Sequence, residues 1–320
     1  MKFATLALAL AALLAAPAMA EVKIALDTPP DRDTSGTYVW ANTFSTYLNE
    51  HGVAATEFEQ GALGDEAERL DQVSQGLLEV SMSNVSSAGS IDGTAFGVGL
   101  PFFFEDADQL SRALYHNGML ARINKTTTRQ GVRVLDFVNL GTPSGLFTTK
   151  TPIRSMEDMA SLRMRALDEA QILTFQAWGG QATIVSWGEV PNALQTGVAD
   201  GYQNPAFVPL MFGHTGFIKH FTDAQISPSV RVAIASEDWY QSLSNEQRGH
   251  VNDAVEAARK ANKDFVISRA GILDELRAAG MEVHKLDPDA RAKFRRASVP
   301  LWSKFPMPLG ALDAWKAAIR

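Results

Sequence analysis

Residues 155–205 read SMEDMASLRMRALDEAQILTFQAWGGQATIVSWGEVPNALQTGVADGYQNP. The stretch reads as helix, strand, helix, strand, helix and strand, the order from which α/β sheets are built. Its densest point is Leu162-Arg163-Met164-Arg165-Ala166. Strand alternation sets Leu162, Met164 and Ala166 on one face and both arginines on the other. Two guanidinium groups on a short apolar strand suit anion recognition, because the planar fork matches a carboxylate through paired hydrogen bonds.

The same alternation continues on both sides. Upstream, Val22–Leu26, Val53–Phe58, Leu78–Met82 and Val132–Phe137 read as strands separated by helical segments, and a flexible connection over Gly141–Gly145, read as a crossover between lobes, leads to a further strand, Leu146–Thr149. A polar loop from Asp27 to Gly36 follows the first strand, at the edge where open α/β sheets bind ligands. Gly97-Val98-Gly99 lacks the third glycine of a dinucleotide fingerprint and runs into Pro101, so it reads as a packed turn before the aromatic run Phe102-Phe103-Phe104. Downstream, a short helix and a loop lead to a strand over Val230–Ala235. Ser244-x-x-Gln247 then opens a long helical pattern to Ala279, interrupted at Gly271. Met281–His284 is a last strand, followed by two helices.

Composition removes several classes. The chain carries 29 Lys and Arg against 36 Asp and Glu, a net charge of −7. That balance is a poor match for nucleic acid or anionic membranes. With no cysteine, disulfides, thiol catalysis and thiolate metal sites are excluded. The six histidines form no HExxH or comparable cluster, and no nucleophile elbow or P-loop occurs. The N-terminus, Met1-Lys2-Phe3 followed by an Ala/Leu-rich run and Ala18-Met19-Ala20, reads as a signal peptide cleaved after Ala20. The expected location is therefore the periplasm.

Leu162-Arg163-Met164-Arg165, then Ala193-Leu194-Gln195-Thr196-Gly197-Val198-Ala199-Asp200-Gly201 and Gln203-Asn204-Pro205, resemble the DctP-like extracytoplasmic solute receptors of tripartite ATP-independent periplasmic (TRAP) transporters. Members read Gly-Leu-Lys-Ile-Arg and then Ala-Leu-Gln-x-Gly-x-x-Asp-Gly-x-Glu-Asn-Pro. The resemblance covers essentially the whole chain after the signal. It implies an α/β, two-lobed periplasmic-binding-protein (Venus flytrap) fold that closes on its ligand, with a long helix spanning both lobes. The division expected is a signal peptide over 1–20, lobe I over 21–143, lobe II over 144–227, a return to lobe I over 228–268, and lobe II with the C-terminal helices over 269–320. The partners implied are a small organic acid and the small and large membrane subunits of the transporter. The receptor is expected to act as a monomer, without cofactor or metal and without catalysis.

By the same resemblance, Arg165 falls on the carboxylate-binding arginine and Asn204 on the asparagine of Glu-Asn-Pro. Asn204 is equally well explained as a helix cap before Pro205. Gln203 replaces the family's glutamate. Trp187 takes the place of an aromatic that faces the cleft, and Phe147 or Trp40 are further candidates for its apolar wall. Asn84 stands where sialic-acid receptors have an acid, and Asp65 matches a Gly-Asp near the cleft, although a helix cap explains it too. Gly145 lies where sialic-acid receptors carry a second arginine. Together these point to a monocarboxylate, a 2-oxo or 2-hydroxy acid, unless Arg163, Arg32 or an arginine of the first lobe supplies a second cation. Sugar-acid, ectoine-like and dicarboxylate ligands, an ATP-driven importer or sensor, and an exported enzyme acting on a small acid remain as alternatives.

Overall fold

Two sheets organise the chain. The structure is a computed structural model that describes residues 21–320; the signal peptide read over 1–20 and its cleavage site lie outside the described residues. The strands are β1 (Val22–Ala25), β2 (Ala55–Phe58), β3 (Val80–Ser83), β4 (Val132–Asn139), β5 (Gly145–Thr148), β6 (Arg163–Ala166), β7 (Gln181–Ile184), β8 (Gly201–Asn204), β9 (His220–Asp223), β10 (Val230–Ser236) and β11 (Glu282–Lys285). The first sheet has the order β2-β1-β3-β10-β4 and the second β11-β9-β5-β8-β6-β7. Each is the sheet of one lobe. No helix among the described residues is long and apolar enough to cross a membrane.

Each lobe is built as its sequence pattern dictates. β1, β2 and β3 run parallel, and β10 enters antiparallel to both β3 and β4. Near-continuous apolar strands of this kind are buried on both faces. One face packs against helices Gly36–Glu50 and Asn245–Ser268 around Trp40, Phe44, Val251 and Val255. The long helix opens with the expected capping box, Ser244 with Gln247. Its buried Asn262 amide donates to the carbonyls of Gly36 (2.8 Å) and Asn139 (2.9 Å), and its Oδ1 accepts from Asn139 N (3.1 Å). In the second sheet, β6, β7 and β8 are parallel and β5 is antiparallel to β8 and β9.

Four details differ from the sequence reading. β9 was not expected: His220-Phe221-Thr222-Asp223 is short, and its central place between β5 and β11 comes from tertiary pairing. The helix expected to run on to Ala279 ends at Ser268, close to the interruption read at Gly271, and its continuation Ile272–Ala278 packs Ile272 and Leu276 into the second lobe. Trp40 and Phe147 are fully buried core side chains, so neither walls a cleft; Trp40 is fixed by its Nε1–H donating to Asp136 at 2.8 Å. The last helix, Ala311–Ala318, packs on the first lobe. There Trp315 donates to Thr94 O (2.9 Å), over Gly97, where a Cβ would lie 1.9 Å from the indole nitrogen. Only glycine fits at that approach.

The chain passes between the sheets along paired segments. Leu140 N donates to Ser229 O (2.8 Å), Ser144 N to Ser227 O (2.9 Å), and Ile226 N to Ser144 O (2.9 Å). Phe102 N joins them, donating to Ile226 O at 2.6 Å. A further passage follows helix Pro288–Ser298, whose Phe294 is second-lobe core while Leu301 and Phe305 belong to the first-lobe cluster.

Candidate functional site

The C-terminal ends of β1 and β3 in one sheet, and of β6, β7 and β8 in the other, carry a set of polar side chains around the crossing segments. This is the strand edge at which α/β sheets bind ligands. A cavity of about 180 Å³ lies there, lined among others by Asn84, Asp168, Gln203, Asn204 and Arg231, with Val98, Pro101 and Phe305 as apolar surface.

Arg165 sits on β6 opposite Thr183 of β7 and Tyr202 of β8. Cross-strand partners share a face, so Arg165, Tyr202 and Asn204 lie on one side of the sheet. The residue is 4 % exposed. Its Nε–H donates to Val185 O (2.9 Å), which leaves the four Nη–H groups without a protein acceptor among the described residues. The guanidinium carbon stands 5.6 Å from the Trp187 ring centre, a cation–π contact. Burial pushes its pKa down to about 10, against the pull of Asp168, and the group stays charged at neutral pH. A buried cation without a hydrogen-bonded counter-ion is costly unless something else satisfies it. Arg163, two residues earlier, is half out in solvent beside Asp200 at 3.9 Å.

Asn204 ends β8. It is not a helix cap, because the next helix begins only at Val208. Its amide nitrogen is buried and has no partner among the described residues, a state that native structures tolerate rarely. Gln203, on the other face, donates to Ser144 Oγ at 2.9 Å and so ties β8 to a crossing segment. Trp187 is half-buried in a short turn after β7 and packs edge-on to Phe212 at 5.1 Å. Gly145 lies opposite Asn204. A Cβ there would fall 2.4 Å from the Phe221 ring and from Thr222 O, so no arginine fits at that place without displacing the sheet.

In the first lobe the acid that reaches the cavity-lining Arg231 and Asn84 is Glu66, not Asp65. Asp65 is exposed, is absent from the cavity wall, and spends its carboxylate on the N–H groups of Ala67 and Glu68 (2.9 Å each) as the cap of helix Glu66–Ser74. Glu66 pairs with Arg231 and accepts from the Asn84 amide. Arg231 also donates to Asp27 at 2.6 Å, and its two acids outweigh the cost of burial and raise its pKa. Asn84 caps its own short helix through Ser86 N (2.8 Å). Asp168, on the opposite wall, caps helix Glu169–Ala177, and burial raises its pKa. Arg231, Glu66, Asp27 and Asp168 were not singled out in the sequence as cleft residues. For Arg231 the signal available was a lone charge within the apolar strand Val230-Arg231-Val232-Ala233-Ile234, and for Asp27 its place at the start of the polar loop read at the ligand-binding edge.

The cavity thus holds Asn84, Gln203 and Asn204. Arg165 and Trp187 stand beside it at the ends of β6 and β7, off its lining. Behind Trp187, the ring of His214 is buried, 5.4 Å away, with Nδ1 3.2 Å from the Tyr202 hydroxyl. Burial lowers the His214 pKa. The unfolded chain therefore takes up the proton first as pH falls, near the ordinary value of about 6.5. The stability tied to neutral His214 is whole above that value and is lost as pH drops through the lower folded one. Thermal midpoints should fall between about pH 7 and 5, with a shallower slope in His214→Gln. Parallel slopes would remove His214 as the cause; His284, also lowered by burial, acts in the same direction in both proteins.

The family model for bacterial extracellular solute-binding protein, family 7 (DctP), matches residues 30–307. The chain is similar to the ectoine/5-hydroxyectoine-binding periplasmic protein UehA of Ruegeria pomeroyi, 25 % identical over 91 % of this chain and 90 % of that one. It is similar also to the C4-dicarboxylate-binding periplasmic protein DctP of Vibrio cholerae, 24 % identical over 93 % and 90 %. Among solved structures, the periplasmic ectoine-binding protein from the TeaABC TRAP transporter of Halomonas elongata superposes with a TM-score of 0.86, at 23 % identity, over 94 % of this chain and 99 % of that one.

Proposed function

The chain belongs to the DctP family, family 7 of the bacterial extracellular solute-binding proteins, and from that premise we propose that it captures a small monocarboxylate, a 2-oxo or 2-hydroxy acid, in the periplasm and delivers it to the small and large membrane subunits of a TRAP transporter. The observation that carries this reading is Arg165: a buried guanidinium with its Nε committed and its Nη groups without an acceptor among the described residues. A carboxylate supplies the acceptors and the counter-charge that the fold withholds. Asn204, with a buried amide nitrogen lacking a partner among the described residues, offers a second donor on the same sheet face. Trp187 gives a flat apolar surface for the body of the acid.

Relatives are named for ligands as different as ectoine and C4-dicarboxylates, so the choice among ligands rests on this chain's own residues. Four of them favour one carboxylate. Arg231 is already paired with Asp27 and Glu66. Gly145 has no room for a side chain. The nearby Glu66 and Asp168 would repel a second ligand charge. A dicarboxylate is the second reading, favoured by the place of Arg231 in the cavity wall, if that arginine exchanges Glu66 for the ligand.

A thermal-shift screen of mono- and dicarboxylates, confirmed by calorimetry, tests the assignment. A 2-oxo or 2-hydroxy monocarboxylate should give the largest stabilisation, following the mass-action rise with ligand concentration over Kd. A dicarboxylate in that position would overturn the monocarboxylate reading. Mass spectrometry of the solute released on denaturation should recover the acid unchanged after incubation; a converted product would make the chain an enzyme instead.

A further inference from the structure

Outside the cleft, one cluster is placed as metal ligands are placed. β11 is the edge strand of the second sheet and pairs in parallel with β9, with Glu282 opposite His220 and His284 opposite Thr222. Residues at i and i+2 of a strand share a face, so His220, Glu282 and His284 project together from one side of the ribbon. Their facing atoms form a nearly equilateral triangle. His220 Nδ1 lies 3.4 Å from His284 Nε2 and 3.5 Å from Glu282 Oε2, and His284 Nε2 lies 3.6 Å from that same oxygen. Zinc bonds of about 2.0–2.1 Å in tetrahedral geometry place neighbouring ligand atoms about 3.3–3.4 Å apart.

The tautomer fits as well. His220 Nε2 is 2.9 Å from the carbonyl of Lys150. A carbonyl only accepts, so Nε2 carries the hydrogen and Nδ1 presents its lone pair to the triangle. A ligand imidazole held from behind by a backbone carbonyl is the usual outer-shell arrangement of metal-binding histidines. Both imidazoles are well covered, 12 % and 14 % exposed, while Glu282 is 65 % exposed and closes the triangle from the solvent side. A plain hydrogen bond between the two rings would be a long one at 3.4 Å.

We propose that His220 Nδ1, Glu282 Oε2 and His284 Nε2 bind one divalent first-row metal ion, best matched by zinc, with water completing its coordination. Two imidazoles and a carboxylate are a recurrent zinc set with an open position. The ion cross-links β11 to β9 and closes the exposed edge of the sheet, just after helix Ile272–Ala278 enters the second lobe. None of the three residues lines the cleft cavity, so the role is structural and independent of solute capture. With three protein ligands in place of four, this is a weaker site than a closed structural one.

The test uses the full chain without a histidine tag, stripped by chelator and titrated with zinc by calorimetry and with cobalt by absorption spectroscopy. The expected result is one ion per chain, cobalt bands of a low-coordinate nitrogen and oxygen site, and a thermal midpoint that rises with zinc. Glu282→Gln alters an exposed side chain and so tests the site without threatening the fold; it should weaken zinc at least about tenfold, a loss no smaller than outer-shell changes cause. His220→Ala with His284→Ala should abolish binding and leave the response to organic acids intact. His51→Ala, which breaks the only other close histidine pair among the described residues, His51 with His250, should change nothing. Absence of saturable binding by the native chain, or unchanged affinity in both Glu282→Gln and the double variant, overturns the proposal.

Discussion

Arg165→Ala is expected to weaken binding of the cognate acid by about 2–5 kcal/mol, the cost of truncating one side of a desolvated charge pair, or roughly 30-fold to several thousand-fold in Kd. The residue is almost wholly buried and its Nη groups have no acceptor among the described residues, so the ligand-free chain carries the cost of the buried charge and the acid relieves it. For the same reason the empty variant should be no less stable than the parent, because little compensating pairing is lost. That combination, a large loss of affinity with an unchanged or raised thermal midpoint, separates a ligand clamp from a structural arginine. Arg165→Lys should lose much of the affinity too, since a point charge cannot reproduce the two-pronged contact. Wild-type affinity in Arg165→Ala, measured by calorimetry, would remove Arg165 from the site.

Local chemistry made much of this architecture legible. The alternation in Leu162–Ala166 separates a buried Met164 from the exposed Arg163, and Ser244 with Gln247 forms its capping box because both partners are close in sequence. Asp65 was legible only as far as its cap. A Gly-Asp at a helix start is satisfied by N–H groups two and three residues on, and it is the next residue, Glu66, that the helix turns toward Arg231. What the sequence withheld depends on distant pairing. Glu66 and Arg231 are 165 residues apart, and Asp27 and Arg231 are 204 apart. The environment of Trp40 was likewise invisible, since Asp136, which holds its indole, lies 96 residues away. Helical spacing gives the face that a tryptophan occupies but not whether that face meets core or cleft.

The second large effect concerns that distant pairing. Arg231→Met should destabilise the folded chain by about 3–5 kcal/mol, the usual cost of removing one partner from a buried ion pair. Asp27 is 2 % exposed at its side chain and would be left buried without its cation, with Glu66 still held by Asn84. At about 2–4 °C per kcal/mol for domains of 150–250 residues, the thermal midpoint should fall by on the order of 10 °C. The companion variant Asp27→Asn with Arg231→Met removes both charges and should recover part of that loss, because the penalty of the single variant is largely that of the orphaned carboxylate. A midpoint within about 2 °C of the parent in Arg231→Met, below one kcal/mol on that scale, would show that the pair contributes nothing. The same protein also decides between the two ligand readings. Measured where the variant remains folded, a monocarboxylate that relies on Arg165 should keep its affinity within a few-fold, because Arg231 is already committed to Asp27 and Glu66. Should Arg231 instead release Glu66 to a second ligand carboxylate, the variant would lose affinity on the scale expected for Arg165→Ala, and the two substitutions would couple in a double-mutant cycle through the one molecule both arginines hold.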